Sequence, residues 1–441
     1  MRELVHIHIG QAGCQMGNAV WELYCLEHGI NPDGTTNQDF KDINEPSSIF
    51  YRTEMNKFVP RAVYLDLEPS VINQVKGGKY KQLFHPESLV HGKEDAANNY
   101  ARAHYTVGRE MLDPAMDAIR RTMELCDNAV QGFTVFHSFG GGTGSGFTSL
   151  IMEQLKDKSK ASKLEFAIYP SPKLGTSVVE PYNSLLTTHM TIDYSDCSFL
   201  VDNQAIFSMC KRLGITAPKY NDINRIVAQA VSSISASLRF RGDLNVDLTE
   251  FQTNLVPYPR IHFPICAISP MNPASKSSHE VNDVSSLVRN VYSRDNQLIN
   301  CDIHSGAFIS SCLLFRGDVT SHDANKALQN YRNAKSDSKR FNFVDWVPTG
   351  YKVGINSRGP SVVPGSQQAP STRSVVALSN TTAISSAWKS LIKKYDNMYS
   401  KRAYVHWYVS EGMEESEFTE ARDDMEQLVR EYDMIESPQV Q

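Results

Sequence analysis

Five glycines in seven residues, Gly140-Gly141-Gly142-Thr143-Gly144-Ser145-Gly146, separate an apolar run (Phe133–Phe136) from a helical pattern (Phe147–Leu155). A strand must hand over to a helix there through a turn with almost no Cβ atoms. Backbone N–H groups in such a turn approach an anion without steric obstruction. The following helix N-terminus aims partial positive charge at the same place. Thr143 and Ser145 can add hydroxyl donors. The turn is not a Walker A loop, because no Gly-Lys-Ser/Thr follows. Nor is it a dinucleotide fingerprint, which belongs on a first strand with an acid about 20 residues on. The first strand carries Gly10-x-x-Gly13-x-x-x-Gly17 instead, which also suits close phosphate approach but is weak alone.

The same theme recurs through the first half of the chain. Leu4–Ile9 leads into Gly10-Gln11-Ala12-Gly13, Ala62–Leu67 into Glu68-Pro69, Phe166–Tyr169 into Pro170 and Pro172, and Phe199–Val201 into Asp202-Asn203. Short apolar strands, each followed by a loop and a helical pattern, predict an α/β fold with a parallel sheet flanked by helices. Ligands of such sheets bind beyond the carboxyl ends of the strands, where these loops lie. Ile223, Ile226, Val227, Ala230, Val231, Ile234 and Leu238 then recur at helical spacing and predict a long central helix. A mixed α+β region follows, with Asn356–Arg373 as a long loop between two strands. Phe418, Ala421, Met425, Leu428, Tyr432 and Ile435 make one apolar face of a C-terminal helix, with Glu414, Glu417, Glu420, Asp424 and Glu431 opposite. The expected domains are 1–202, 203–378 and 379–441.

Composition narrows the function classes. A formal charge of −5 with no basic stripe argues against nucleic acid as a partner. The eight cysteines form no Cys-x-x-Cys pair and no His-assisted zinc spacing, which fits reduced thiols in the cytoplasm. No apolar stretch approaches the roughly 18 residues of a membrane span, and the N-terminus has no signal-peptide pattern.

The glycine turn, together with Gly10-Gln11-Ala12-Gly13-Cys14-Gln15, Asp66-Leu67-Glu68-Pro69, Lys93-Glu94-Asp95-Ala96-Ala97-Asn98-Asn99 and Val178-Val179-Glu180-Pro181-Tyr182-Asn183, resembles the tubulin family, from Met1 to about Met425. The resemblance implies a GTP site with Mg²⁺. Gly10, Gln11, Ala12 and Gln15 would lie near the phosphates. Asp66 and Glu68 would face the phosphate end, with Glu68 assisting the metal. Asp95, Ala96, Ala97 and Asn98 would contact the γ-phosphate side. Ser138, Gly140, Gly141, Gly142, Thr143 and Gly144 would hold the phosphates. Thr176 and Glu180 would contact the ribose, and Asn203, Tyr220 and Asn224 would read the guanine. A hard cation held through few carboxylates plus phosphate oxygens is chemically sensible, and an asparagine offers the donor and acceptor that a guanine edge needs.

Two features resemble α-type rather than β-type chains: Glu250, where β-type chains carry lysine, and the long Asn356–Arg373 loop. The resemblance then implies a cytoskeletal GTPase of the cytoplasm that pairs with β-tubulin, meets lateral tubulin neighbours and polymerises into microtubules. Glu250, with Asp247 one turn earlier, would act as general base on the partner's GTP, and the chain's own GTP would stay intact. The acidic C-terminal face resembles the surface read by motor and microtubule-associated proteins.

Departures from the family pattern concern contacts. The chain ends Glu436-Ser437-Pro438-Gln439-Val440-Gln441, without an acidic tail or terminal tyrosine. Lys41 is offset by one residue from the family's acetylated lysine. Arg241-Gly242-Asp243 reverses a charge at a longitudinal contact, and Pro270–Glu280 is divergent although His279 is retained. These keep open a tubulin-like chain that binds GTP but caps filaments or sequesters partners rather than co-polymerising. Two enzyme readings also remain: a free-standing nucleotide hydrolase, and a dinucleotide oxidoreductase of similar architecture.

Overall fold

The computed structural model describes residues 3–37, 47–171, 174–242, 244, 246–276, 283–333 and 342–436. Lys41, Pro172, Asp243, His279 and the end of the chain from Ser437 lie outside the described residues. The chain divides into two compact units, Met1–Ser198 with Lys389–Gln427, and Phe199–Trp388 with Leu428–Gln441.

In the first unit, β1 (Glu3–Ile9) runs directly into α1 (Gly10–His28). A two-stranded ribbon, β2 (Phe50–Arg52) and β3 (Phe58–Pro60), precedes β4 (Ala62–Asp66) and α2 (Pro69–Gly77). Then come β5 (Leu89–His91), α3 (Val107–Glu124), β6 (Val130–Ser138), α4 (Thr148–Lys158), β7 (Ser162–Tyr169), α5 (Glu180–Thr191) and β8 (Cys197–Asp202). The six-stranded sheet has the order β5-β4-β1-β6-β7-β8. β1 pairs in parallel with both β4 and β6, and β6 with β7. Every residue of β1 is buried, as expected of a parallel strand covered by helices on both faces. The chain builds outward from β1 on one side and then returns to its other side with β6. That reversal leaves a crevice at the carboxyl ends of β1 and β6, where Gly10 and the glycine turn lie. α1 closes on Gly29, whose φ of 63° caps the helix in the left-handed conformation. β5 escaped the sequence reading, since its three residues are too few to show a period.

The second unit begins with α6 (Asn203–Arg212) and the 20-residue α7 (Tyr220–Arg239). Continuing along the chain are α8 (Leu248–Leu255), β9 (Ile265–Ser269), α9 (Val284–Val291), β10 (Phe308–Gly317), α10 (Ser321–Arg332), β11 (Tyr351–Asn356) and β12 (Arg373–Thr381). Its sheet has the order β11-β10-β12-β9 and is mixed, parallel at β10/β11 and antiparallel elsewhere. α7 is the expected central helix: Ile223, Ile226, Val227, Ala230, Val231 and Ile234 are all at most 3% exposed. Arg316 on β10 is buried against it and donates to Ser232 Oγ at 2.9 Å. The loop predicted at Asn356–Arg373 joins β11 to β12.

The last elements among the described residues are α11 (Ser385–Tyr399), α12 (Val405–Val409) and α13 (Glu415–Glu436). Phe418, Ala421, Met425, Leu428 and Tyr432 of α13 are fully buried. The opposite, acidic face is less open than its sequence suggests. Glu417 accepts from Tyr105, Asp424 pairs with His189 at 2.9 Å, and Glu431 pairs with Arg260 at 3.2 Å. Glu414 and Glu420 are the members left well exposed.

Candidate functional site

The loops that follow β1, β4, β5, β6 and β7 converge at one end of the first sheet. Gly10 adopts φ 70°, and a Cβ there would lie 3.2 Å from Gly144 N and 3.5 Å from Thr143 Cβ. The entry of α1, carrying Gln11, Ala12 and Gln15 on its first turns, is thus set against the glycine turn. A Cβ on Gly142 would meet Ala96 Cβ at 2.9 Å and Asn99 N at 2.7 Å. One on Gly140 would meet Glu180 Cγ at 2.9 Å, whereas Gly141 faces open space. Side chains at 140 or 142 would therefore fill the space that lets the loops approach. The turn itself enters α4 through a widened π turn over Thr143–Phe147, a form often found at functional sites.

Two sequence readings change here. Gly13 and Gly17 do not face a ligand. A Cβ on Gly13 would lie 2.2 Å from the Phe136 carbonyl, and one on Gly17 2.7 Å from His8 Nδ1. They let α1 pack close against the sheet. Ser145 is fully buried, and its single hydroxyl proton is used within the turn, toward the Gly141 and Gly142 carbonyls. Thr143 remains as a hydroxyl donor.

The loop after β5 carries local strain. Ala97 and Asn98 have φ of 49° and 57°, a region that costs non-glycine residues about 1–3 kcal/mol and persists where the surroundings impose it. Asn183 on α5 does much of the imposing. It is fully buried; its Nδ2 donates to the Asn98 carbonyl at 2.8 Å and to the Gly140 carbonyl at 2.9 Å. Its Oδ1 accepts from Tyr100 N–H at 3.1 Å and Tyr408 O–H at 2.7 Å. One amide thus ties the loop holding Asp95, Ala96, Ala97 and Asn98 to the glycine turn. Asn183 shows no role in the sequence, because its partners Asn98, Gly140, Tyr100 and Tyr408 lie far from it along the chain.

Glu180, at the start of α5, uses Oε1 to accept from Thr176 N–H at 2.6 Å, Thr176 O–H at 2.8 Å and Ser177 N–H at 3.1 Å. It shapes the loop after β7 besides lining it. Asp66, at the end of β4, is only 4% exposed. Burial, reinforced by the Asp95 and Glu68 carboxylates, pushes its carboxyl up to about 7 against two opposing backbone hydrogen bonds. Glu68 and Asp95 are exposed. Among the described residues no group of three or more His, Cys, Asp or Glu could hold a metal alone. Glu68 and Asp95 offer carboxylate oxygens close to Asp66, a donor type that suits a hard cation taking one or two carboxylates here and its remaining oxygens from phosphate and water.

In the second unit, β8 delivers Asn203 to the first position of α6. Asp202 caps that helix by accepting from Gln204 N–H at 2.8 Å. Asn203 Oδ1 is buried without a protein partner. Native interiors rarely leave such an atom unpaired, and a base edge would supply its donor. α7 opens with Tyr220, which is 53% exposed, and places Asn224 one turn later at 5% exposed. Glu250 lies in the first turn of α8, 39% exposed, with Oε2 2.8 Å from Lys352 Nζ on β11.

Residues 3–211 match the family described as Tubulin/FtsZ family, GTPase domain, and residues 259–393 match the Tubulin C-terminal domain. The chain is 58% identical over 438 residues to a tubulin alpha chain of Encephalitozoon cuniculi, covering 99% of this chain and 98% of that one. It is 56% identical over 438 residues to the tubulin alpha-2 chain of Caenorhabditis elegans, covering 99% and 97%. It is 54% identical over 442 residues to the tubulin alpha-1 chain of Emericella nidulans, again covering 99% and 97%. Sheet order, central helix and near-complete coverage agree: the chain belongs to the tubulin family, among its α-type members, as a cytoskeletal GTP-binding protein.

Proposed function

We propose that this chain is the α-type subunit of a heterodimer with β-tubulin, that the heterodimer polymerises into microtubules, and that Glu250 promotes hydrolysis of GTP on the next β subunit. Glu250 carries the reading. It is a carboxylate on an accessible helix start, and it is aimed by a lysine from a neighbouring strand. A positioned carboxylate can orient a water and take its proton, an effect typically worth about 10²–10⁴ in rate.

The chain's own nucleotide would be held by its own residues. The amides of Gly140–Gly144, with Gln11, Ala12, Gln15, Ser138 and Thr143, are suited to phosphate oxygens. Asn98 and its strained neighbours suit the terminal phosphate. Asn203 and Asn224 would read the base, and Tyr220 would stack on it. Glu68 would hold Mg²⁺, which when bound neutralises phosphate charge. Lateral tubulin neighbours, and motor or associated proteins on the C-terminal helices, complete the proposed partners. The setting is the cytoplasmic cytoskeleton. No helix among the described residues is long and apolar enough to cross a membrane.

The test is co-expression with a β-type tubulin, gel filtration, identification of the nucleotide released on denaturation, and sedimentation after warming with GTP. One retained GTP per chain and a pelletable polymer are expected. Retained GTP without polymer would favour capping or sequestration. Absence of guanine nucleotide would overturn the site.

A further inference from the structure

Beneath the glycine turn runs a buried chain of polar contacts that the nucleotide-site assignment does not use. His137 is the penultimate residue of β6. Its Nδ1 lies 2.6 Å from the Gly144 carbonyl and its Nε2 2.8 Å from Glu165 Oε1 on β7. Ser198 on β8 donates its hydroxyl to Glu165 Oε2 at 2.6 Å, and Ser195 Oγ lies 2.9 Å from Ser198 Oγ. The side chains of His137 and Glu165 are 0% and 1% exposed. Three neighbouring strands therefore contribute to a chain that ends on one carbonyl of the turn.

The chemistry fixes the direction of the first bond. A carbonyl oxygen cannot donate, so Nδ1 carries a proton and donates it to Gly144. Nε2 and the Glu165 carboxyl then share the second proton, which orients the ring whichever atom holds it. Gly144 packs directly on the end of β6: a Cβ there would lie 2.7 Å from the Ser138 carbonyl oxygen and 2.9 Å from Ser138 N. Its carbonyl takes this donor from outside its own helix, at the widened turn where α4 begins. Rotating that peptide would move the amides on either side of it.

We propose that His137, held by Glu165 and Ser198, is a positioning residue. It anchors the Gly144 peptide so that the turn presents its amides to nucleotide phosphates in a preset geometry. The proposal rests on the reading of this turn as the phosphate site. Preset donors spare the ligand the cost of ordering the loop, which appears as slower nucleotide loss.

The isosteres separate this role from mere core packing. Asparagine places its amide nitrogen near the position of Nδ1, and glutamine places its own near Nε2. The full chain is purified with a β-type partner as His137→Asn, His137→Gln and Glu165→Gln. Bound GTP per chain is followed over time in nucleotide-free buffer, and stability is read separately by urea unfolding in excess GTP. His137→Gln, which loses the donor to Gly144, is expected to release nucleotide about tenfold faster. His137→Asn should stay within about threefold of wild type, although it strips Glu165 of its imidazole and is the less stable of the two. This opposite ordering of retention and stability is one that packing alone does not produce. Retention that simply tracks stability, or normal retention in His137→Gln, overturns the proposal. If His137→Gln yields no heterodimer, Glu165→Gln decides, since faster release supports the chain and unchanged release overturns it. A wild-type heterodimer without guanine nucleotide would instead overturn the underlying reading of the site.

Discussion

The buried ion pair between Glu3 and Arg61 offers a sharp test of what holds the first sheet together. Arg61 Nη2 lies 2.8 Å from Glu3 Oε1, with the side chains 2% and 0% exposed. Arg61 also donates from Nη1 to the Leu125 carbonyl at 2.7 Å and from Nε to the Ser47 carbonyl at 3.3 Å. Glu3 begins β1, and Arg61 immediately precedes β4. Replacing Arg61 by methionine keeps much of the volume but leaves a buried carboxylate without its counter-charge. Breaking such a pair costs about 3–5 kcal/mol. Glu3 keeps two backbone donors, Asp127 N–H at 3.3 Å and Asn128 N–H at 3.0 Å, which places the expected cost at the lower end, about 3 kcal/mol. Amide hydrogen exchange along β1 and β6 in the purified heterodimer reads this locally, and about a hundredfold faster exchange is expected. In the double variant Glu3→Gln/Arg61→Met no charge is stranded, so the loss should shrink by at least about 1 kcal/mol. Exchange in Arg61→Met within about threefold of wild type, or a double variant as unstable as the single, would refute the argument from buried charge.

Other outcomes follow from the same geometry. Glu250→Gln should slow GTP hydrolysis in filaments with a β-type partner by about 10²–10⁴ while leaving bound nucleotide in the isolated heterodimer unchanged. Phosphate release during assembly measures it, and an unaltered rate would remove Glu250 from the chemistry. Asn203→Ala should increase loss of guanine nucleotide, by about 1–3 kcal/mol of interaction, as read by nucleotide content after gel filtration. Gly13→Ala should lower heterodimer yield, because its Cβ would meet the Phe136 carbonyl at 2.2 Å and neither backbone can yield cheaply. His8 is fully buried and accepts from Trp21 Nε1 at 3.1 Å, and burial, reinforced by His6, holds its imidazole well below the usual range. Only the unfolded chain then takes up a proton as pH falls below about 6.5, so stability should drop by up to about 1.4 kcal/mol per pH unit from this group. Urea unfolding at pH 7 and 5.5 should show a shallower dependence in His8→Asn.

Sequence alone determined what depends on short-range pattern. β1, β4, β6, β7 and β8 were legible because each is an apolar run ended by a loop, and α7 and α13 because burial repeats every three to four residues. The glycine turn was legible because five missing Cβ atoms at a strand-to-helix junction have few other uses. Most of the candidate site residues came from the resemblance, since a polar residue in a loop has no periodicity to betray it.

Tertiary structure decided which donors and charges remain available, because that depends on partners far along the chain. The Ser145 hydroxyl, a phosphate donor by sequence, spends its proton within the turn, and Gly13 and Gly17 serve helix packing. Asn183 gained a role only when Asn98, Gly140 and Tyr408 came within reach of one amide. The acidic face of α13 lost Glu417, Asp424 and Glu431 to Tyr105, His189 and Arg260. Glu250 met Lys352, about a hundred residues away, on an adjacent strand. Periodicity is written locally in a sequence, whereas hydrogen-bond and charge partners are fixed only when the fold closes.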